Sequence, residues 1–123
     1  VNGAQRVLAT AMSEKTLQSC ILDYARLRGW LVTHFRPAQT ARGRWVTPID
    51  GDPGFPDLVL VRGGRVIYAE LKSKRGQVTP EQQAWLTALG AVGGPVSVFV
   101  WRPVDWLDGS IRRVLDGPAG GGT

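Results

Sequence analysis

Gly54-Phe55-Pro56-Asp57-Leu58-Val59-Leu60-Val61-Arg62-Gly63-Gly64-Arg65-Val66-Ile67-Tyr68-Ala69-Glu70-Leu71-Lys72 is the stretch that decides the fold. It holds two apolar runs, Leu58 to Val61 and Val66 to Leu71, parted by Arg62-Gly63-Gly64-Arg65. A Gly-Gly pair between such runs signals a tight hairpin turn, because glycine supplies the backbone angles that other residues resist. Side chains alternate faces along a strand, so Glu70 and Lys72 point one way and Leu71 points into the core. The hairpin brings the start of its first strand beside the end of its second. Asp57, Glu70 and Lys72 therefore gather at one end of a sheet.

That gathering is unfavourable unless it is used. Crowded carboxylates raise one another's pKa unless a cation lies between them. Oxygen donors of this kind suit Mg²⁺ or Mn²⁺. Such an ion would activate a water or stabilise charge building at phosphorus. A neighbouring ammonium would polarise the attacking water or stabilise the same charge. An isolated Glu-x-Lys is ordinary on an exposed sheet face. The upstream Pro-Asp, the hairpin and the apolar flanks, in this order, favour a metal-dependent nuclease site.

Gly54-Phe55-Pro56-Asp57-Leu58, Glu70-Leu71-Lys72 and Thr79-Pro80-Glu81-Gln82-Gln83 together resemble the VRR-NUC family of the PD-(D/E)xK nuclease superfamily. In that family a G-x-P-D-L turn leads into a hairpin ending in E-x-K, and an S/T-P-E-Q helix start follows. The likeness runs from about Ser13 to Val100. It implies an α/β fold with a restriction-endonuclease-like core, a mixed sheet of about four strands flanked by helices. It also implies a divalent metal, Mg²⁺ or Mn²⁺, and hydrolysis of DNA phosphodiester bonds. By matching position, Asp57 and Glu70 would be metal carboxylates and Lys72 the catalytic lysine. Glu14 would be the acidic residue of the first helix and a further metal carboxylate, and Gln82 the glutamine that opens the second helix and joins the catalytic set. Relatives that stand alone at this size resemble structure-specific nucleases, cutting junctions, flaps or nicks, and often act as dimers. Repair, recombination and phage DNA processing are the settings this implies, in the cytoplasm of a bacterial or phage-infected cell.

Glu14 and Gln82 each have a plainer reading. Ser13 is a good N-cap, and the helix dipole favours a first-turn glutamate. Yet Glu14 lies at helical spacing from Leu17, Gln18 and Ile21, on the inward stripe. Pro80-Glu81-Gln82 after Thr79 is also an ordinary helix opening. Both readings stand for both residues.

Outward from the hairpin, Leu17, Ile21, Tyr24, Ala25 and Leu27 repeat at helical spacing, and Gly29 ends that helix. Trp30 to Phe35 reads as a strand. Arg36 to Phe55 reads as a long structureless loop, a feature that is usually functional in a small domain. Its Asp50 and Asp52 read as turn residues. A helix over Pro80 to Leu89 would present Ala84, Trp85, Ala88 and Leu89 as its apolar side. Val96 to Trp101 is nearly all apolar, as a buried central strand should be, and should lie beside the Glu70 strand through a crossover. Arg102 to Trp106 begins a helical turn, and Ile111 to Leu115 suits helix or strand. Residues 1–12 carry no clear signal and read as a flexible N-terminal extension, with Met12-Ser13-Glu14 as an alternative start. Residues 13–116 form the domain, and residues 117–123 a flexible glycine-rich tail.

The 123 residues suffice for one modest core. No apolar run approaches the roughly 18 residues of a membrane span, and no secretory leader is visible. A single cysteine and a single histidine exclude a disulfide framework and a zinc cluster. Cys20 reads as a packed thiol, and His34 as a strand residue or a lining of the DNA groove. Fifteen Lys and Arg against ten Asp and Glu give a net charge of +5. Arg36, Arg42, Arg44, Lys74 and Arg75 are candidates for phosphate contacts, whose binding is salt-dependent. Trp45 in the basic loop could stack on an unpaired base or pin the loop to the domain. Of the five tryptophans, Trp30, Trp85 and Trp101 suit core positions. Two rivals remain: a catalytically silent DNA-binding module of the same fold, and a protein–protein adaptor using Trp101 to Leu115.

Overall fold

The hairpin read from the sequence lies at the centre of the sheet. The computed structural model describes residues 2–35, 38–39, 43, 45–46 and 50–117. In chain order the elements are α1 (Gly3–Ala11), α2 (Glu14–Leu27), β1 (Leu31–His34), β2 (Ala38–Gln39), β3 (Trp45–Val46), β4 (Leu58–Arg62) and β5 (Arg65–Leu71). They continue with α3 (Pro80–Gly90), β6 (Val96–Trp101), α4 (Pro103–Leu107) and α5 (Ser110–Asp116). Four strands form one sheet in the order β1-β4-β5-β6. The first two pairings are antiparallel and β5–β6 is parallel, so the sheet is mixed and α3 is the crossover. Arg62 faces Arg65 across the turn. Gly63 and Gly64 have φ of 54° and 81°. Two successive left-handed residues make the type I′ turn, whose twist matches that of the strands.

Alternation along the hairpin divides the two faces. Leu58, Leu60, Ile67, Ala69 and Leu71 are fully buried in one cluster with Leu17, Ile21 and Ala25 of α2 and Ile111 and Leu115 of α5. Tyr68 and Glu70 take the other face, where α3 packs. Helix α2 starts at Ser13, whose Oγ accepts from the Thr16 N–H at 3.0 Å. It ends at Gly29 (φ 85°), where Gly29 N and Trp30 N donate to the Arg26 and Ala25 carbonyls at 3.1 and 3.0 Å. This double closure satisfies carbonyls that the helix end would orphan.

The structure departs from the sequence reading in several places. Residues 1–12 are not a shapeless extension, because α1 occupies most of them. Asn2 and Gln5 cap it reciprocally, at 2.8 and 3.1 Å. Ala9 is buried, and Gln5 Nε2 donates to the Leu107 carbonyl at 3.2 Å. The 36–55 segment is not wholly without structure, since β2 and β3 pair antiparallel within it. Strand β6 is an edge rather than a central strand, although its neighbour is β5 as expected. Leu27 is 78 % exposed. Ten residues on from Leu17, at about 100° each, it falls roughly 80° off the stripe. Cys20 is half-buried rather than fully packed.

The inward side of α3 also differs. Leu86 is its buried residue, while Ala84 and Ala88 are exposed and Trp85 is half-buried. Gln82, Leu86 and Leu89 follow one another at i, i+4 and i+7, so the inward stripe opens with a polar residue. Trp85 instead donates its indole N–H to the Asp52 and Pro53 carbonyls, at 3.3 and 3.1 Å. Among the described residues, no helix is long and apolar enough to cross a membrane.

Candidate active site

Strand register places the three charged groups. Leu58 pairs with Ala69, so the next positions outward bring Asp57 beside Glu70 at the open end of the hairpin. The Leu71 N–H donates to Asp57 Oδ2 at 2.8 Å, which fixes that carboxylate across the strand gap. The Lys72 N–H donates to the Trp101 carbonyl at 3.0 Å, so β6 anchors the lysine's backbone. Lys72 Nζ lies 3.5 Å from Glu70 Oε2, and its side chain is 12 % exposed. Gln82 Nε2 donates to the same Glu70 oxygen at 2.9 Å.

Among the described residues Glu70 is the one charged residue in the buried set, 2 % exposed. Its second oxygen, Oε1, is buried with no hydrogen-bond partner. A carboxylate so placed resists ionisation. Burial, then repulsion by Asp57 and a hydrogen bond with it, push the Glu70 carboxyl up to about 8, against the relief given by Lys72. Glu14, at the start of α2, faces the same space from the sheet end. Partial burial raises its pKa, Asp57 raises it further, and Lys72 lowers it.

These donors fit a hard divalent cation. Among the described residues no three His, Cys, Asp or Glu side chains form a ready group around one ion, so Glu14 is near but not assembled with Asp57 and Glu70. Mg²⁺ is commonly held by one or two carboxylates with waters filling its shell. Two carboxylates and an orphaned buried oxygen meet that need.

Two further residues shape the site. Gly54 has φ 96°, and a Cβ there would stand 2.6 Å from the Glu81 carbonyl carbon and 2.8 Å from Gln82 N. The turn before Asp57 thus presses against the first turn of α3, which is why glycine and the Thr-Pro-Glu-Gln helix start belong together. Sequence reasoning missed Arg102. Its Nη1 donates to the Ser73 carbonyl at 2.8 Å and the Gly76 carbonyl at 2.6 Å, holding the loop after Lys72. Its place just beyond the strand that pairs with Glu70-Leu71 is the signal that could have found it. His34 was expected as a satisfied strand residue or a groove lining; its Nδ1 lies 3.2 Å from Gln18 Nε2.

The structure brings Asp57, Glu70, Lys72 and Gln82 together and sets Glu14 alongside. Lys74 and Arg75 are exposed on the following loop, with Lys74 Nζ donating to Thr10 Oγ1 at 2.9 Å. Arg36, Arg42 and Arg44 lie outside the described residues, as does the side chain of Trp45.

A mixed four-stranded sheet with flanking helices, bearing an Asp, a Glu and a Lys at one end, is the α/β arrangement of a restriction-endonuclease-like core. The family model of the VRR-NUC domain matches residues 32–100, more than half of the chain, and the protein belongs to that family. It is therefore a nuclease domain, and a nuclease domain implies DNA binding. No curated protein and no solved structure matches the chain.

Proposed function

We propose that the protein is a metal-dependent DNA endonuclease that hydrolyses phosphodiester bonds in structured DNA, such as junctions, flaps or nicks. The observation that carries this is Glu70: a buried carboxyl with an orphaned oxygen, facing Asp57, in a family of nucleases. Asp57 and Glu70 would hold Mg²⁺ or Mn²⁺, with Glu14 beside them. When bound, the ion supplies charge stabilisation at the phosphoryl oxygens and a more acidic water.

The chain's own groups do the rest. Gln82 occupies one Glu70 oxygen and leaves the other without a partner. The Leu71 N–H holds Asp57 in place. Lys72, its backbone tied to β6 and its side chain mostly buried, stabilises negative charge as it grows on the phosphate and orients the attacking water. Lys74 and Arg75 hold the backbone beside the cut, and Arg36, Arg42 and Arg44 are further candidates for phosphate contacts. Each site would cut one strand, so two copies would cut a duplex.

The test is cleavage of labelled single strand, duplex, flap and four-way junction with Mg²⁺, Mn²⁺ or EDTA. Asp57→Ala and Lys72→Ala should each lower metal-dependent cutting by on the order of a thousandfold, about 4 kcal/mol of barrier, with melting little changed. Cleavage retained in either variant would overturn the assignment. Salt-sensitive binding without any cleavage would favour the silent DNA-binding module.

A further inference from the structure

We propose that Arg6, Lys74 and Arg102 form a phosphate subsite that grips the nucleic-acid backbone next to the candidate active site; this rests on the nuclease reading and deepens it. A cavity of about 240 Å³ opens between α1, the loop after β5 and the start of α4, lined by Arg6, Ala9, Lys74, Arg102, Pro103 and Val104. Three separate elements thus deliver three cations to one concavity, and no carboxylate among the described residues lines it. Among the described residues none of the three pairs with a carboxylate side chain. Like charges held together in a concave wall focus positive potential, which an anion relieves.

The surroundings hold these cations in place. Arg102 is fixed by the Ser73 and Gly76 carbonyls. The Lys74 ammonium is tethered by Thr10 of α1. Helix α1 is in turn docked on α4 through Gln5 and Leu107. Arg6 is exposed on that helix, with no side-chain partner among the described residues.

Position identifies the ligand. Lys74 follows Lys72 by two residues, at most about 7 Å of chain. That is roughly two nucleotide rises of about 3.4 Å along one strand of a duplex. Arg102 directly follows Trp101, the residue in register with Leu71. A strand whose scissile phosphate lies against Asp57, Glu70 and Lys72 therefore reaches the cavity with a neighbouring phosphate. On this reading α1 is part of the DNA-binding surface.

The test is binding of a labelled duplex and a labelled single strand in EDTA over a range of salt, with Arg6→Ala, Arg6→Glu and, as control, Arg26→Ala. Arg26 is equally exposed but sits near the far end of α2. Alanine keeps helix propensity, so α1 is retained. Arg6→Ala should make the slope of log affinity against log salt shallower by about one, with a five- to tenfold weaker complex at about 0.1 M salt. Arg6→Glu should weaken it further, and Arg26→Ala should match the native protein. An Arg6→Ala slope equal to that of Arg26→Ala, in a protein that binds and cuts DNA, would overturn the subsite and leave the nuclease reading standing. A native protein that binds no DNA would overturn both.

Discussion

The two ends of the β4–β5 hairpin are built on opposite terms. At the turn end, Arg62 lies 4.7 Å from the centre of the Trp30 ring, and Arg65 lies 6.0 Å from it. Arg62 also donates to the carbonyls of Arg28 and Gly117. The Trp30 indole N–H donates to the Leu115 carbonyl at 2.9 Å. One buried atom there, Arg62 Nε, has no hydrogen-bond partner, but the rest of the guanidinium is bonded and rests on an aromatic face. At the open end a carboxylate is buried against another carboxylate. Local rules hold at one end and are broken at the other, and the break marks the end proposed to carry the chemistry.

The sharpest way to break this contrast is Glu70→Gln. It keeps the shape and the contact with Gln82 but removes the charge. Cleavage should fall by on the order of a thousandfold, measured on the best DNA of the panel. Without metal the same variant should be no less stable than the native protein near pH 8. In the native protein the folded state holds a Glu70 proton with pKa about 8, whereas an ordinary glutamate releases it near 4.5. Stability is therefore full below about 4.5 and is lost as pH rises towards about 8, by at most about 1.4 kcal/mol per pH unit. Urea melts in EDTA across that range should show the slope in the native protein and a flatter line in Glu70→Gln. A native protein whose stability is level across it would contradict the picture of a strained open end.

Gly54→Ala addresses how that end is closed. The added methyl meets backbone of α3 at 2.6 Å, and φ is 96°. A loss of about 2–4 kcal/mol is expected from strain and displacement, read from urea melts. Cleavage should fall with it, as Gln82 moves away from Glu70. The turn end should respond least. Gly64→Ala, at φ 81°, should cost about 1–2 kcal/mol, with kcat unchanged. A larger effect on kcat from Gly64→Ala than from Gly54→Ala would erase the contrast.

What the sequence made legible follows from the range of the signals. The hairpin, its faces and the helix after Ser13 rest on local periodicity and turn chemistry, and the parallel partner of Glu70 on the crossover rule. Periodicity and turn signals act over a few residues and are printed in the chain. The polar stripe of α3 was misread because apolar counting discounts Gln82, whose inward position is explained only by Glu70. The edge position of β6 was misread because apolar side chains on an edge strand look like those of a central one. Helix α1 was missed although Asn2 and Gln5 carry the capping-box spacing, since its docking depends on Leu107. Arg102 depends likewise on carbonyls far along the chain.

The parallel pairing of β5 with β6 also has a meaning in the order of folding. A hairpin such as β4–β5 closes within about 1–10 μs. Chain closure across α3 has to precede the β5–β6 ladder, and non-local pairing of this kind is slower. A chain with only the hairpin formed has Asp57 and Glu70 side by side, but neither the Gln82 contact nor the Trp101 carbonyl that seats Lys72. If these groups do the cutting as proposed, competence arrives with the last strand, and the half-folded protein is a disarmed one.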